Sequence, residues 1–237
     1  MTTQMTRYVF IGVPSYDGRQ GGWITTQILQ FNDTKTRFDY SLEGSSALTY
    51  NFNALWRIVL NNREYTHFIM WHEDIEPVDQ DWIIKLLDLA DQHEADILSV
   101  VSPIKSNAQE TSTALARGKE FGDYQRVKID DLENLPDVFG EPELSKLFGW
   151  DKGRRIILTN TCLMCVRMNR RTVLETMCFD VNNWIKRDKA GEFYHLFEPE
   201  DWKWARDAQD KGLKVLATKA IKLKHIGRMG YPNFKGE

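Results

Sequence analysis

Apolar residues fall along this chain in two rhythms that take turns. "YVFIGV" (Tyr8–Val13) is a short unbroken apolar run that stops at Pro14 in polar, turn-forming residues. A strand buried on both faces and ending in a loop reads this way. "GGWITTQILQF" then supports a short helix, and "TRFDYSLEGSS" a second strand that ends at Gly44. In "NFNALWRIVLNN", Phe52, Leu55, Trp56, Val59 and Leu60 recur at the i, i+3, i+4, i+7, i+8 spacing of a helix with one buried face. "THFIMW" is unbroken again. After Pro77, Trp82, Ile83, Leu86, Leu87 and Ala90 mark another one-faced helix, and "DILSVV" is the next strand.

Strands alternating with helices predict an α/β chain: an open, mostly parallel central sheet with helices on both faces. Ligands of such sheets bind outside the carboxyl ends of the strands. Pro14 to Asp17, Glu43, and His72 to Asp74 all fall at predicted strand ends, so they are expected to converge in one crevice. The abrupt change from "FIMW" to "HEDIE" then has a reason. The strand delivers a charged cluster to a pocket rim.

Beyond Pro103 the pattern weakens. Residues 104–155 are polar and rich in Gly and Pro, with a candidate strand at "YQRVKI", and read as an excursion serving as a lid or acceptor-binding segment. "RIILTNTCLMCVRM" resumes strand character, and "RRTVLETM" can form a helix. "PEDWKWARDAQDKG" reads as a helix from Pro199 with acids in its first turn and Gly212 at its stop. "LKVLAT" is taken as the last strand and "KLKHIGRMGYPN" as a basic loop.

Composition narrows the class. At 237 residues the chain forms one large domain or two small ones, and its 42% hydrophobic and 27% charged residues suit a globular protein. A net charge of −3 excludes a generally basic nucleic-acid binder. Charges from Glu73 to Asp96 are nearly all acidic, whereas Lys211, Lys214, Lys219, Lys222, Lys224, Arg228 and Lys235 make the C-terminal stretch basic. These are either two solvated faces or an acidic rim opposite an anion-binding wall. No run resembles a signal peptide or approaches the roughly 18 apolar residues of a membrane helix, so a cytoplasmic protein without a membrane span is expected. Cys162 and Cys165 form a C-x-x-C, but no second pair or nearby His completes a zinc site. With Cys178 they fit a reducing compartment, and core packing is their expected role.

In order and spacing, "VPSYDG", "HEDIEP", "PEDW" and "KHIG" resemble the motifs of GT-A glycosyltransferases, in particular family 2-like inverting enzymes of small bacterial or phage type. The likeness runs along most of the chain and is least over residues 104–155. It implies a single GT-A (Rossmann-like) domain over 1–237, with residues 1–103 as the nucleotide-sugar-binding half and 104–237 as the acceptor-binding and C-terminal half. By the resemblance, Pro14, Ser15, Tyr16 and Asp17 hold the nucleotide, Tyr16 stacking on the base and Asp17 accepting from it. Glu43 either contacts the base or is solvated.

"HED" stands where the family has D-x-D, with His72 in place of the first carboxylate. The resemblance makes Asp74 the ligand of Mn²⁺ or Mg²⁺, ions that suit a hard oxygen donor. His72 either bonds the ribose or joins the metal, and Glu73 either lines the nucleotide site or is a surface carboxylate. His225 in "KHIG" matches a further metal ligand, with Lys222, Lys224 and Arg228 either meeting the diphosphate or solvating their loop. "PEDW" matches the motif whose carboxylate deprotonates the acceptor, which makes Asp201 the base and Glu200 its understudy. Trp202 and Trp204 either pack or line the acceptor site.

The implied activity is metal-dependent transfer of a sugar from a nucleotide-diphosphate sugar, a UDP-sugar first, to a hydroxyl acceptor with inversion. The acceptor is a glycan, a lipid-linked sugar, a protein or a modified DNA base. The rival reading is a catalytically silent nucleotide-sugar or glycan-binding protein, for which His72 is the argument.

Overall fold

Why the apolar rhythm changes along the chain is plain in the computed structural model, which describes residues 7–16, 22–31, 33–106, 108–118, 121–227 and 230–233. The first half runs β1 (Arg7–Ser15), α1 (Gly22–Gln30), β2 (Thr36–Gly44), α2 (Leu48–Asn61), β3 (His67–Trp71), β4 (Ile75–Pro77), α3 (Trp82–Gln92) and β5 (Ile97–Val100). There follow β6 (Glu110–Arg117), β7 (Tyr124–Lys128), β8 (Val138–Phe139), α4 (Glu141–Phe148), β9 (Arg155–Leu158) and β10 (Leu163–Arg167). The chain continues with α5 (Arg171–Leu174), β11 (Asn182–Arg187), β12 (Phe193–Glu198), α6 (Glu200–Asp210), β13 (Val215–Thr218), β14 (Leu223–Ile226) and β15 (Gly230–Pro232).

Seven strands form the central sheet in the order β2-β1-β3-β10-β5-β13-β8. β2, β1, β3, β5 and β13 run one way, and β10 and β8 run against them. The sheet is therefore mostly parallel and covered on both faces, as expected. Because successive strand side chains point to opposite faces, each unbroken apolar run feeds two cores. Phe10, Phe68, Met70 and Val166 pack with α2 and with Trp204 and Ala208 of α6. Ile11, Ile69, Trp71 and Cys165 pack with Ile24 and Ile28 of α1 and with the face of α3. Fully burying such a side chain stabilises the fold by roughly 1.5–3 kcal/mol, so a strand apolar on both faces is worth about twice a half-exposed one.

α3 buries the five residues expected of it: Trp82, Ile83, Leu86, Leu87 and Ala90. On α2 the buried set is Asn51, Phe52, Leu55, Trp56 and Val59, while Leu60 is only half-buried. Asn51 takes a core position because its side-chain amide has backbone partners at the strand ends. α6 stops as predicted, with Gly212 at φ +75°, a left-handed conformation that glycine adopts without strain.

Several elements differ from expectation. "RIILTNTCLMCVRM" is two strands in different sheets, β9 pairing with β6 and β10 inserted antiparallel between β3 and β5. Residues 104–155 are more ordered than an excursion, since β7, β6 and β9 form their own three-stranded sheet. The helix in "RRTVLETM" is a single turn. "LKVLAT" is not the last strand. The basic loop after it contains β14 and β15, which join β4 in a small antiparallel sheet. A four-residue strand edged with lysines carries no period that a sequence reading can detect.

Candidate functional site at the strand ends

β1 and β3 are parallel neighbours, so Ser15 and the residues after Trp71 emerge on one rim. Their meeting is direct. Glu73 accepts a short hydrogen bond from the Ser15 hydroxyl and another, 2.9 Å long, from the Tyr16 N–H. Both Glu73 oxygens thus hold the loop after β1, and Glu73 positions that loop. Asn51 supports it from below, its amide donating to the Ser15 and Ser45 carbonyls at 2.9 Å each. Glu43 is half-buried and in register with Pro14 on the adjacent strand. Tyr16 is 71% exposed, so its ring is open to solvent for stacking. Asp17 and Arg228 lie outside the described residues.

His72 is fixed by its surroundings. Its backbone N–H donates to Cys162 O at 2.8 Å, its Nε2 lies 3.2 Å from the Thr161 hydroxyl, and its ring packs on Phe52. Burial drops its pKa to about 4, against the pull of Asp74, so the ring is neutral near pH 7. The turn that receives it is pinned by Asn160, which bonds Val100 O and the Cys162 N–H. Cys162 and Cys165 are free thiols, Cys165 buried in the core and Cys162 packed against the same core.

Asp74 meets the far end of the chain because β14 pairs antiparallel with β4, placing His225 opposite Ile75. The Ile226 N–H donates to the Asp74 carbonyl at 2.7 Å. His225 Nδ1 lies 2.7 Å from the Pro103 carbonyl. A carbonyl only accepts, so Nδ1 carries the proton, and Nε2 faces Asp74 Oδ2 at 3.4 Å. A cation between them could take both atoms as ligands. Lys105 Nζ sits 2.5 Å from the same Oδ2, and Oδ1 is buried without a hydrogen-bond partner. Burial works to raise the Asp74 pKa, but the contacts with His225 and Lys105 outweigh it and hold the carboxyl well below its usual range.

An imidazole nitrogen and carboxylate oxygens, one of them orphaned, fit a borderline-hard divalent cation. Among the described residues no three His, Cys, Asp or Glu side chains close into a cage, so His72, Asp74 and His225 do not form one by themselves. His225 and Asp74 are brought together. His72 is close by, turned to Thr161.

The second carboxylate centre is the start of α6. Asp201 lies in the first helical turn, where Trp202 N–H donates to its Oδ1 at 2.7 Å. Burial, reinforced by the charge of Glu200, pushes its pKa up to about 7. Glu200 is raised as well, by burial. Burial also drives the Cys162 thiol up, with the charges of Asp74, Asp201 and Glu200 adding to it, so both acidic centres lie within electrostatic reach of one thiol. Trp202 packs in a small core with Phe121, and Arg126 lies 4.4 Å over its ring. Trp204 is deep in the main core, stacked on Phe179. Both tryptophans pack.

Lys105, Thr161, Asn51 and Asn160 escape the sequence reading. Lys105 alone left a signal there, as a cation following the end of a predicted strand. No family model matches the sequence, and no curated protein matches it. Among solved structures, A197 from STIV is similar with a TM-score of 0.53 at 12% identity, over 93% of this chain and 86% of that one. TarS 1-349 of S. aureus matches with a TM-score of 0.44 at 11% identity, over 90% of this chain and 58% of that one. The likeness to A197 is one of fold. Among the described residues no helix is long and apolar enough to cross a membrane.

Proposed function

We propose that the chain is a metal-supported glycosyltransferase, moving a sugar from a nucleotide-diphosphate donor, a UDP-sugar first, to a hydroxyl acceptor. The observation that carries this reading is a buried carboxylate with its pKa near 7, Asp201, on a GT-A-like fold whose strand-end rim also pairs Asp74 with His225. A sugar hydroxyl is a poor nucleophile at neutral pH. A base poised near 7 can take its proton as the new bond to C1 forms and the bond from C1 to the diphosphate oxygen breaks. Attack from the base's side, opposite the leaving diphosphate, inverts C1. Glu200, next to it, raises the basicity of Asp201 by its charge.

The donor would lie along the rim, with its base at Tyr16 and its diphosphate by Asp74 and His225. Those two residues would hold Mn²⁺ or Mg²⁺, which neutralises charge on the departing nucleoside diphosphate. His72, neutral, would bond the ribose or the ion through its ring. In this arrangement residues 1–103 present the donor, and the later half brings the acceptor to Asp201.

The test is turnover of a panel of nucleotide sugars with Mn²⁺, comparing wild type with Asp201→Asn and Glu200→Gln. Asp201→Asn is expected to lower transfer by about 10²- to 10⁴-fold, with donor affinity little changed, and Glu200→Gln to cost much less. The reverse ranking makes Glu200 the base. Donor binding without any turnover identifies a silent binding protein instead.

A further inference from the structure

Lys105 is unused by the mechanism above, yet its ammonium is in contact with Asp74, the carboxylate at the centre of the rim. We propose that Lys105 is a built-in counter-ion that couples cation binding at Asp74 to the arrival of the donor's diphosphate. This rests on the glycosyltransferase reading and names a control on it that the motif resemblance does not contain.

Asp74 Oδ2 holds Lys105 Nζ at 2.5 Å and faces His225 Nε2 at 3.4 Å. An ion shared with His225 would therefore share Oδ2 with an ammonium. The ammonium on Oδ2 opposes a divalent cation there, because two cations at one oxygen repel across a gap with little screening.

The backbone beneath Lys105 is held, so the adjustment belongs to its side chain. Ile104 N–H donates to Glu110 O at 3.0 Å, Pro103 bridges to Thr111, and the Pro103 carbonyl receives His225. The four-carbon stem above that anchor is flexible, and the Lys105 side chain is 37% exposed. The ammonium can swing without disturbing the His225 contact.

Charge counting supplies the coupling. Asp74 and Lys105 cancel each other's charge, and a divalent cation alone adds two positive charges to that pair. A nucleoside diphosphate brings the missing negative charge and gives the displaced ammonium a partner. Cation and diphosphate must then tighten each other by the same factor, since binding linkage is reciprocal. In the absence of nucleotide, Lys105 keeps the cation weakly bound.

The experiment is calorimetric titration of Mn²⁺ into the full chain, with and without UDP, with the heat of Mn²⁺–UDP association subtracted. Lys105→Met keeps the stem and removes the charge, and Lys105→Arg keeps the charge. In Lys105→Met, Mn²⁺ alone is expected to bind about fivefold tighter than in wild type, the scale of a partly exposed ion pair. The tightening that UDP produces should shrink by the same factor, and Lys105→Arg should follow wild type. Mn²⁺ affinity in Lys105→Met equal to or below that of wild type overturns the counter-ion role and leaves the metal-supported reading standing. No Mn²⁺ binding by any of the three proteins, with or without UDP, removes both.

Discussion

The candidate site depends on single groups whose protonation is set by burial. Asp201 is the sharpest case: folded, it keeps its proton up to about pH 7, against 3.8 for the free side chain. Activity should therefore rise about tenfold per pH unit below 7 and level off above it, and a flat profile of kcat/KM between pH 6 and 8 would rule out Asp201 as the base. The sign for stability is the opposite. Between about 3.8 and 7 the native state binds more protons than the unfolded state. The stability this contributes is complete below 3.8 and is lost as pH rises through 7. Asp201→Asn removes that loss, so its melting temperature should exceed that of wild type more at pH 8 than at pH 5, measured by thermal unfolding. A loss of activity accompanied by a gain of stability is the mark of a functional buried charge.

At the scale of elements, the loop after β1 is aimed by how closely α2 lies on that strand. A Cβ on Gly12 would meet Phe68 Cε2 at 3.0 Å and Leu55 at 3.1 Å, and both neighbours are core side chains. Gly12→Val should therefore lower stability by about 1–3 kcal/mol, the cost of overpacking, measured by denaturant unfolding. A wild-type midpoint in that variant would mean that α2 can move away freely. The elements most legible from sequence are those with a period. α3 shows its whole buried face in five residues, and β3 its double burial in one unbroken run. β14 was not legible, because a short strand carrying Lys224 and His225 is defined by its partner β4, about 150 residues earlier in the chain.

For the whole molecule, the expected outcome is stabilisation by ligand. A nucleotide that binds only the native state adds about 2.7 kcal/mol at a hundredfold excess over Kd, or several degrees in melting temperature for a chain of this size. UDP with Mn²⁺ should deliver this and UMP with Mn²⁺ markedly less, since UMP presents less charge to the Asp74 region. Equal shifts for the two nucleotides would place binding in the base and ribose alone. By itself the sequence determined the layered α/β sheet and the carboxyl-end rim that presents Ser15, His72 and Asp74. Hydrophobic period reports which faces are buried, and burial dictates how strands and helices stack. Only the tertiary structure decided what those groups meet. Lys105 on Asp74, the tautomer of His225 set by Pro103, Glu73 turned to the β1 loop, and the raised pKa of Asp201 all arise from contacts between distant segments. Charge and hydrogen bonding act over a few ångströms of space, and no local pattern in the chain records which residues the fold will bring that close.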